Sequence, residues 1–131
     1  MIGYVTLGTN DLPRAVKFYD DLFASIGAGR FMEEENYFVA WATTPDQPSV
    51  AVSIPFNKEP ATVGNGTMVA LHMETTERVD ALYNKAIELG ASCDGKPGYR
   101  PEEATSGFYA AYFRDLDGNK LNAFCMIEAE Q

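Results

Sequence analysis

The sequence predicts an α+β fold in which two βαβββ modules form a single domain of 131 residues. A repeat is the first observation, since Tyr-Val-Thr-Leu at 4–7 aligns with Met-Val-Ala-Leu at 68–71. The second is that an amphipathic helical pattern follows each of these segments. The third is a pair of alternating apolar runs near the end of the chain. Elements in this order predict a mixed sheet with helices on one face, which leaves the other face free to curve around a cavity.

The first module begins with a strand, because apolar and polar residues alternate over 4–7. Asn10 or Asp11 is placed to cap a helix, and Pro13 falls in its first turn, where a missing N–H costs nothing. Gly27 is placed to end that helix. Three strand-like runs follow, near 29–34, 37–43 and 49–54.

The second module repeats the pattern with a one-residue slip in the turn between strand and helix. Its helix is capped by Thr75 or Thr76 and stops at Gly90. Strands are predicted near 91–96, 107–114 and 120–126. Between the first two, the segment 95–101 contains two Pro and two Gly, which predicts a loop.

The segment between the modules is rich in Pro, Gly and Asn, and its apolar residues show neither helical nor strand periodicity, as expected of a linker. The predicted organisation is module one at about 1–55, a linker at about 56–66, and module two at about 67–128. At this length the chain buries one core, so all of it is expected to form one domain.

The last two strands are joined by an Asp-rich turn that predicts a β-hairpin. Asp115, Asp117, Gly118 and Asn119 are residues that bond their own backbone or tolerate a positive φ. A calcium-binding EF-hand loop has Gly at its sixth position and Glu at its twelfth, whereas here Gly118 is fourth and Met126 twelfth. These residues are therefore expected to shape a turn and not to bind calcium.

The hairpin resembles that of the vicinal oxygen chelate superfamily, which includes glyoxalase I, bleomycin resistance proteins and extradiol dioxygenases. The segment Phe-Arg-Asp-Leu-Asp-Gly-Asn-Lys-Leu-Asn at 113–122 is similar to the superfamily pattern, in which Asp-Pro-Asp-Gly-Asn precedes a hydrophobic residue and a metal-binding Glu. Asn-Asp-Leu at 10–12, Phe-Tyr at 18–19 and the segment 94–101 occur in the expected order. The resemblance covers essentially the whole chain and implies two βαβββ modules whose sheet curves around a cavity.

The superfamily commonly binds a divalent metal with one residue on the first strand of each module and a Glu on the last strand. According to the resemblance, the residues that correspond to these three metal-binding positions are Tyr4, Met68 and Asn122. A protonated phenol, a soft thioether and a neutral amide are poor ligands for a hard or borderline divalent ion. The sequence thus predicts no metal and no other cofactor, with a divalent metal ion as the alternative.

His72 is the one histidine and the candidate catalytic residue, as a general acid or base. The competing interpretation is a polar residue at the rim of the cavity. His72 and Glu74 share a face but lack a third metal ligand. Arg100 is positioned either to clamp a carboxylate or phosphate or simply to lie in solvent.

Alternation along the strands brings several aromatic side chains to the predicted cavity. The competing interpretation is that they fill it as core, and Trp41 fits either role. The residues predicted to bind a ligand are Tyr4, Thr6, Met68, His72, Phe108, Tyr112, Asn122, Phe124 and Arg100.

Charge and composition exclude several classes of partner. Nineteen acidic against ten basic residues give a net charge of −9, which repels nucleic-acid phosphates and anionic membranes. No apolar run approaches a membrane helix, and the start of the chain lacks a signal peptide, so a cytoplasmic location is expected. Cys93 and Cys125 are expected to be ordinary small apolar residues in a reducing compartment, with a single disulfide as the alternative.

Two functional hypotheses follow. The first is a metal-free protein that binds a small organic molecule in an aromatic cavity, as the bleomycin resistance proteins that it resembles do. The alternative is a divalent-metal-dependent lyase, isomerase or dioxygenase of the same superfamily. A homodimer is expected in either case, because modules of this superfamily pair or exchange and short curved sheets leave edges to cover. The acidity favours cationic aromatic ligands, whereas Arg100 favours anions.

Overall fold

The computed structural model describes residues 1–130, which form two compact units, Met1–Asn65 and a second that begins at Gly66. Each unit has the order βαβββ, as predicted. In chain order the elements are β1 (Tyr4–Gly8), α1 (Leu12–Ala24), β2 (Gly29–Glu34), β3 (Phe38–Ala42), β4 (Ser49–Ser53), β5 (Val69–His72), α2 (Thr76–Glu88), β6 (Ser92–Arg100), β7 (Gly107–Arg114) and β8 (Lys120–Ile127).

The first unit is a four-stranded mixed sheet in the order β1-β4-β3-β2, with β1 parallel to β4 and the other pairs antiparallel. Helix α1 covers one face, where Tyr19 and Phe23 pack against Trp41 at ring distances of 5.7 and 5.8 Å. Trp41 is 2% exposed, so it belongs to the core of this unit. We call the opposite face the open face of the first sheet.

The second unit repeats this arrangement in the order β5-β8-β7-β6, with β5 parallel to β8. Helix α2 covers the face that carries Phe113, Leu121 and Ala123, all fully buried. The predicted α+β class with two βαβββ modules is therefore confirmed, with each module building its own four-stranded sheet. We call the face opposite α2 the open face of the second sheet.

The predicted helix starts agree with the structure. Asp11 Oδ1 accepts a hydrogen bond from the Arg14 N–H at 3.2 Å, and Thr75 Oγ1 accepts one from the Arg78 N–H at the same distance. Each side chain thereby satisfies an amide that the first helical turn leaves unpaired. Neither of these helices, nor any other part of residues 1–130, provides a helix long and apolar enough to cross a membrane.

The segment 95–101, predicted as a loop, lies largely within strand β6, so that prediction was wrong. Strand β6 is at the edge of its sheet, where the missing N–H of Pro97 removes no bond that a further strand needs. Its register against β7 shifts on either side of Gly95, and these irregularities accommodate the Gly and Pro residues within a paired strand.

The hairpin turn has the geometry that the sequence predicted. Gly118 has a φ of 90°, a conformation that a side chain disfavours. Asp115 Oδ1 accepts hydrogen bonds from the backbone N–H groups of Asp117 and Asn119, both at 2.9 Å. The Asp115 carboxylate therefore stabilises the turn by pairing with its backbone N–H groups.

Candidate ligand-binding site

The first unit contains a pocket of about 690 Å³ over the open face of its sheet. Its floor is formed by β1, β3 and β4, and the segment 54–62 forms one wall. The lining residues are Tyr4, Thr6, Gly8, Phe31, Met32, Tyr37, Phe38, Ala40, Ser49, Ala51, Ser53, Ile54, Pro55, Phe56, Asn57, Pro60, Ala61 and Thr62.

The wall segment is fixed to the start of helix α1 by Asn10. Its Oδ1 accepts from the Ala61 N–H at 2.7 Å, and its Nδ2 donates to the Ala61 carbonyl at 3.1 Å. A Cβ on Gly8 would lie 3.1 Å from the Ala61 Cβ, so glycine permits this close approach. The wall is therefore held by specific contacts although it has no regular secondary structure.

The pocket is lined by aromatic, aliphatic and small polar side chains. Tyr37 and Phe38 meet edge to face at 5.5 Å, and Phe56 is 89% exposed at the wall. None of the lining residues in this described unit is Asp, Glu, His, Cys, Lys or Arg. Such a surface suits an uncharged organic molecule and offers no imidazole, carboxylate or thiol for proton transfer or metal binding.

Two of the predicted ligand-binding residues, Tyr4 and Thr6, line this pocket. The other aromatic and thioether side chains of the lining were not predicted from the sequence. Phe31 and Met32 lie on edge strand β2, and Phe56 lies in the segment interpreted only as a linker. The sequence contained one indication that Phe56 could line a pocket. Phe56 lies between Pro55 and Pro60, and prolines restrict the conformations of the segment that carries it.

Several other predicted residues lie together on the open face of the second sheet. Cross-strand pairing places Tyr112 beside Asn122 and brings Phe108 and Phe124 to the same face. The Phe108 and Phe124 rings stack at 5.6 Å, and His72 meets the Phe124 ring edge to face at 5.4 Å. The alternation predicted for these strands is therefore correct.

His72 is the last residue of strand β5 and is exposed. Its ring contact is with Phe124, an apolar partner, and it has no carboxylate partner among the described residues that would orient it as a base. Met68 lies just before β5 and is also exposed. Both side chains are therefore accessible, one at each end of β5.

Arg100 lies at the end of strand β6, and not in the loop that was predicted. Its register partner is Phe108, so its side chain belongs to the open face of the second sheet. The guanidinium lies over the ring of Tyr112, with the Arg100 Cζ 5.5 Å from the ring centre. It also donates hydrogen bonds to the carbonyl oxygens of Lys96 and Gly98, at 2.9 and 3.0 Å.

Asn122 stands where the superfamily has its metal-binding Glu, and it is 2% exposed. Its neighbours on the adjacent strands are Ala70 and Tyr112. Within residues 1–130, Asn122 Oδ1 has no hydrogen-bond donor. An unpaired amide oxygen at this depth costs free energy unless a water molecule or a ligand supplies the donor.

The residues at the superfamily's metal positions do not fit a divalent ion. Tyr4 carries a neutral phenol, Met68 a thioether and Asn122 an uncharged amide, and none supplies the imidazole or carboxylate that such ions prefer. In the described part of the chain, no three His, Cys, Asp or Glu side chains gather as metal ligands would. These three side chains therefore give no basis for a catalytic step through a bound ion.

Tyr109 on β7 points towards helix α2, on the side of the second sheet opposite its open face. Burial, together with the hydrogen bond from the Tyr109 hydroxyl to Asp80 Oδ1 at 2.7 Å, raises the pKa of Tyr109 to about 12. Asp80 is on helix α2, so this contact joins the helix to the sheet. Its role is structural.

The sequence profile of the Glyoxalase/Bleomycin resistance protein/Dioxygenase superfamily matches residues 1–123. The chain therefore belongs to this superfamily. No curated protein gives a significant match.

Solved structures agree with this assignment. A glyoxalase/bleomycin resistance protein from Albidiferax ferrireducens T118 is 32% identical, with a TM-score of 0.82 over 95% of this chain and 98% of that one. A glyoxalase/bleomycin resistance protein/dioxygenase family enzyme from Burkholderia phytofirmans PsJN is 20% identical, with a TM-score of 0.71 over 95% and 98%. Lactoylglutathione lyase from Agrobacterium tumefaciens is 18% identical, with a TM-score of 0.68 over 95% and 92%. The last two similarities show the fold alone.

Proposed function

We propose that this protein binds a small, uncharged or weakly polar organic molecule in the pocket of its first unit, without a metal ion. The observation that carries the proposal is the lining of that pocket, which combines aromatic side chains with a few hydroxyl and amide groups and has no charged residue. Its volume of about 690 Å³ lies within the range of small-molecule sites. The ring faces supply contact area, and the hydroxyls of Tyr4, Thr6 and Ser53 supply orientation.

A divalent-metal-dependent lyase, isomerase or dioxygenase is the competing hypothesis. It requires a Lewis acid or redox ion held by suitable ligands. Tyr4, Met68 and Asn122 are poor ligands for such an ion, which favours binding over metal-dependent catalysis.

Native mass spectrometry of protein purified without stripping tests the proposal, because a retained molecule adds its mass to the chain. A thermal-shift screen with neutral aromatic compounds supplies probes, since a molecule that binds only the folded state raises the melting temperature. Thr6→Trp should fill the pocket from an exposed strand position that tolerates an aromatic residue. Thr43→Trp is the matched control, since Thr43 is also exposed but does not line the pocket.

The expected result is saturable binding that Thr6→Trp weakens by roughly tenfold or more, which corresponds to at least about 1.4 kcal/mol, and that Thr43→Trp leaves unchanged. Binding that survives Thr6→Trp would contradict the location of the site. The absence of any retained molecule and of any saturable probe would contradict the function.

A further inference from the structure

Strand β2 is an open edge of the first sheet. Within residues 1–130 it pairs with β3 alone, and its other edge meets no strand. All 6 of its residues, Gly29–Glu34, are exposed. An edge of this kind offers backbone N–H and C=O groups to any strand that can lie beside it.

A bulge near the middle of β2 changes which of its side chains share a face. Arg30 lies opposite Trp41 and Met32 opposite Ala40, so one step along β3 corresponds to two along β2. As a result Arg30 and Glu33, three residues apart, both lie on the face that α1 covers. The Arg30 Nη1 donates a hydrogen bond to Glu33 Oε2 at 3.0 Å.

The same bulge leaves Phe31 and Met32 together on the open face of the first sheet. Both line the first-unit pocket, yet they remain 43% and 55% exposed. Each face of the β2 edge therefore carries its own pair of neighbours, one charged and one apolar. An accessible apolar pair on an open edge is a surface that a partner would cover.

Antiparallel pairing of β2 with β2 of a second copy matches both pairs at once. Opposite residues in such a pairing point to the same face of the sheet. When Arg30 lies opposite Glu33 of the second copy, Phe31 lies opposite Met32 and Gly29 opposite Glu34. Twofold symmetry makes each of these contacts twice.

Charge favours this register. The acidic run 33–35 at the end of β2 lies opposite 28–30 of the second copy, which contains Arg30, and not opposite the same acidic run. Arg30 uses three of the five guanidinium N–H groups for Asp20 and Glu33 of its own chain, so two remain for the second copy. A shift that set Glu33 opposite itself would bring like charges together.

The bulge also favours a second copy over an unrelated strand as the partner. A bulged edge does not match a regular strand, which is one way in which proteins protect their edges. Strand β2 of a second copy has the same bulge in the same place, next to the symmetry axis. The faces therefore stay matched along the whole of Gly29–Glu34.

We propose that β2 pairs in antiparallel fashion with β2 of a second copy, so that the four strands of each first sheet join into one continuous sheet. Arg30 pairs with Glu33 across the interface, and Phe31 packs against Met32. Both open faces then lie on the same side of the joined sheet. This interface is independent of what the first-unit pocket binds.

Disulfide crosslinking between positions 29 and 34 tests the register. Gly29→Cys and Glu34→Cys are each made in a Cys93→Ser chain, because Cys93 is exposed. No atom lies within 4 Å of the Cβ position of Gly29, and Glu34 is exposed, so both variants should fold. In the proposed register the two cysteines face each other at a Cα distance of about 4.5–5.5 Å, which a disulfide spans.

A mixture of the two cysteine variants should form a covalent dimer on mild oxidation, as non-reducing gel electrophoresis would show. Either variant alone should not, because each cysteine lies about five residues, roughly 17 Å, from its own counterpart in the second copy.

Glu33→Arg tests the ion pair across the interface. Its matched control is Glu88→Arg, since Glu33 and Glu88 each pair with a cation three residues earlier in the chain. Glu33→Arg should raise the dissociation constant of the dimer by roughly tenfold or more, because it changes both symmetric contacts, and Glu88→Arg should leave it unchanged. Analytical ultracentrifugation measures the constant, and thermal melting verifies that each variant is folded.

A wild-type mass of 14.4 kDa throughout the micromolar range would overturn the inference. A wild-type dimer whose mixed cysteine variants crosslink no more than the separate variants would also overturn it, because the interface would then lie elsewhere. Equal effects of Glu33→Arg and Glu88→Arg on the dissociation constant would overturn the contact between Arg30 and Glu33.

Discussion

The Trp41 indole N–H donates a hydrogen bond to Asp20 Oδ1 at 2.8 Å, and this bond joins helix α1 to strand β3. Asp20 also accepts from Arg30 on β2, with the Arg30 Nη2 2.6 Å from Asp20 Oδ2. One carboxylate thus connects the helix to two strands. The hydrogen bond from Arg30 is the main cause that holds the pKa of Asp20 below its ordinary value of 3.8, with a further contribution from Trp41.

Asp20→Ala should lower the free energy of unfolding by about 1–3 kcal/mol, because the buried Trp41 N–H loses its acceptor. The lowered pKa of Asp20 stabilises the folded protein at pH values above 3.8. This stabilisation is lost as the pH falls through the pKa that Asp20 has in the folded protein, which lies below 3.8. Denaturant titrations from pH 7 down to pH 2 should therefore show a smaller loss of stability for the variant than for the wild type.

The control is Asp21→Ala, which removes the exposed partner of Lys17 one residue further along α1. Such a surface pair contributes little, so a change within about 0.5 kcal/mol is expected. Equal effects of the two substitutions would contradict the role given to Asp20.

Gly118→Val should destabilise the fold by about 1–3 kcal/mol, because Gly118 has a φ of 90° that a β-branched residue disfavours. Gly29→Val is the control, since Gly29 lies at the start of β2 with an ordinary φ and no atom near its Cβ position. Chemical denaturation measures both variants. A tolerated Gly118→Val would mean that the turn can relax to another geometry.

The two cysteines should differ in reactivity. Cys93 is exposed, and hydrogen bonds from Tyr83 and from the Gly95 N–H lower the pKa of its thiol, whereas burial raises the pKa of the Cys125 thiol. Because the thiolate is the reactive form, iodoacetamide at pH 7 should label Cys93 first, as peptide mass spectrometry would show. Tyr83→Phe should slow that labelling. Faster labelling of Cys125 in the folded protein would contradict the assignment.

A homodimer is expected from the apolar side chains that the first unit exposes. Phe31, Met32 and Phe56 are large and accessible, and although they also line the ligand pocket, a second copy of the chain is expected to cover the parts that the ligand leaves exposed. Light scattering at micromolar concentration should give twice the 14.4 kDa of one chain. Met32→Lys should shift the mass towards one chain, and Ile87→Lys on α2 should not. A wild-type mass of 14.4 kDa would be evidence against the dimer.

Much of the fold could be predicted because its signals are local. Asp11 and Thr75 cap helices through their own side chains, and Asp115 shapes a turn within four residues of itself. Strand alternation likewise identified the shared face of Phe108, Tyr112, Asn122 and Phe124. The position of Arg100 was not predicted because Pro and Gly usually interrupt a strand, whereas an edge strand with register shifts tolerates both.

The site was harder to predict because its wall is set by tertiary contacts. The pairing of Asn10 with Ala61 joins residues 51 positions apart, and no local pattern reveals it. Without that contact the segment 54–62 has the composition of a linker. The contribution of Phe56 to a pocket therefore became apparent only in the structure.

A single titration decides whether the protein binds its ligand without a metal ion. Protein dialysed against EDTA, and confirmed by elemental analysis to contain well under one equivalent of transition metal, is titrated with a compound identified by the thermal-shift screen. The same titration is repeated after addition of Zn²⁺, Ni²⁺ or Mn²⁺. We expect the same affinity in every case, because Tyr4, Met68 and Asn122 do not fit a metal. Stoichiometric metal that resists EDTA, or affinity that develops only when an ion is added, would contradict the claim.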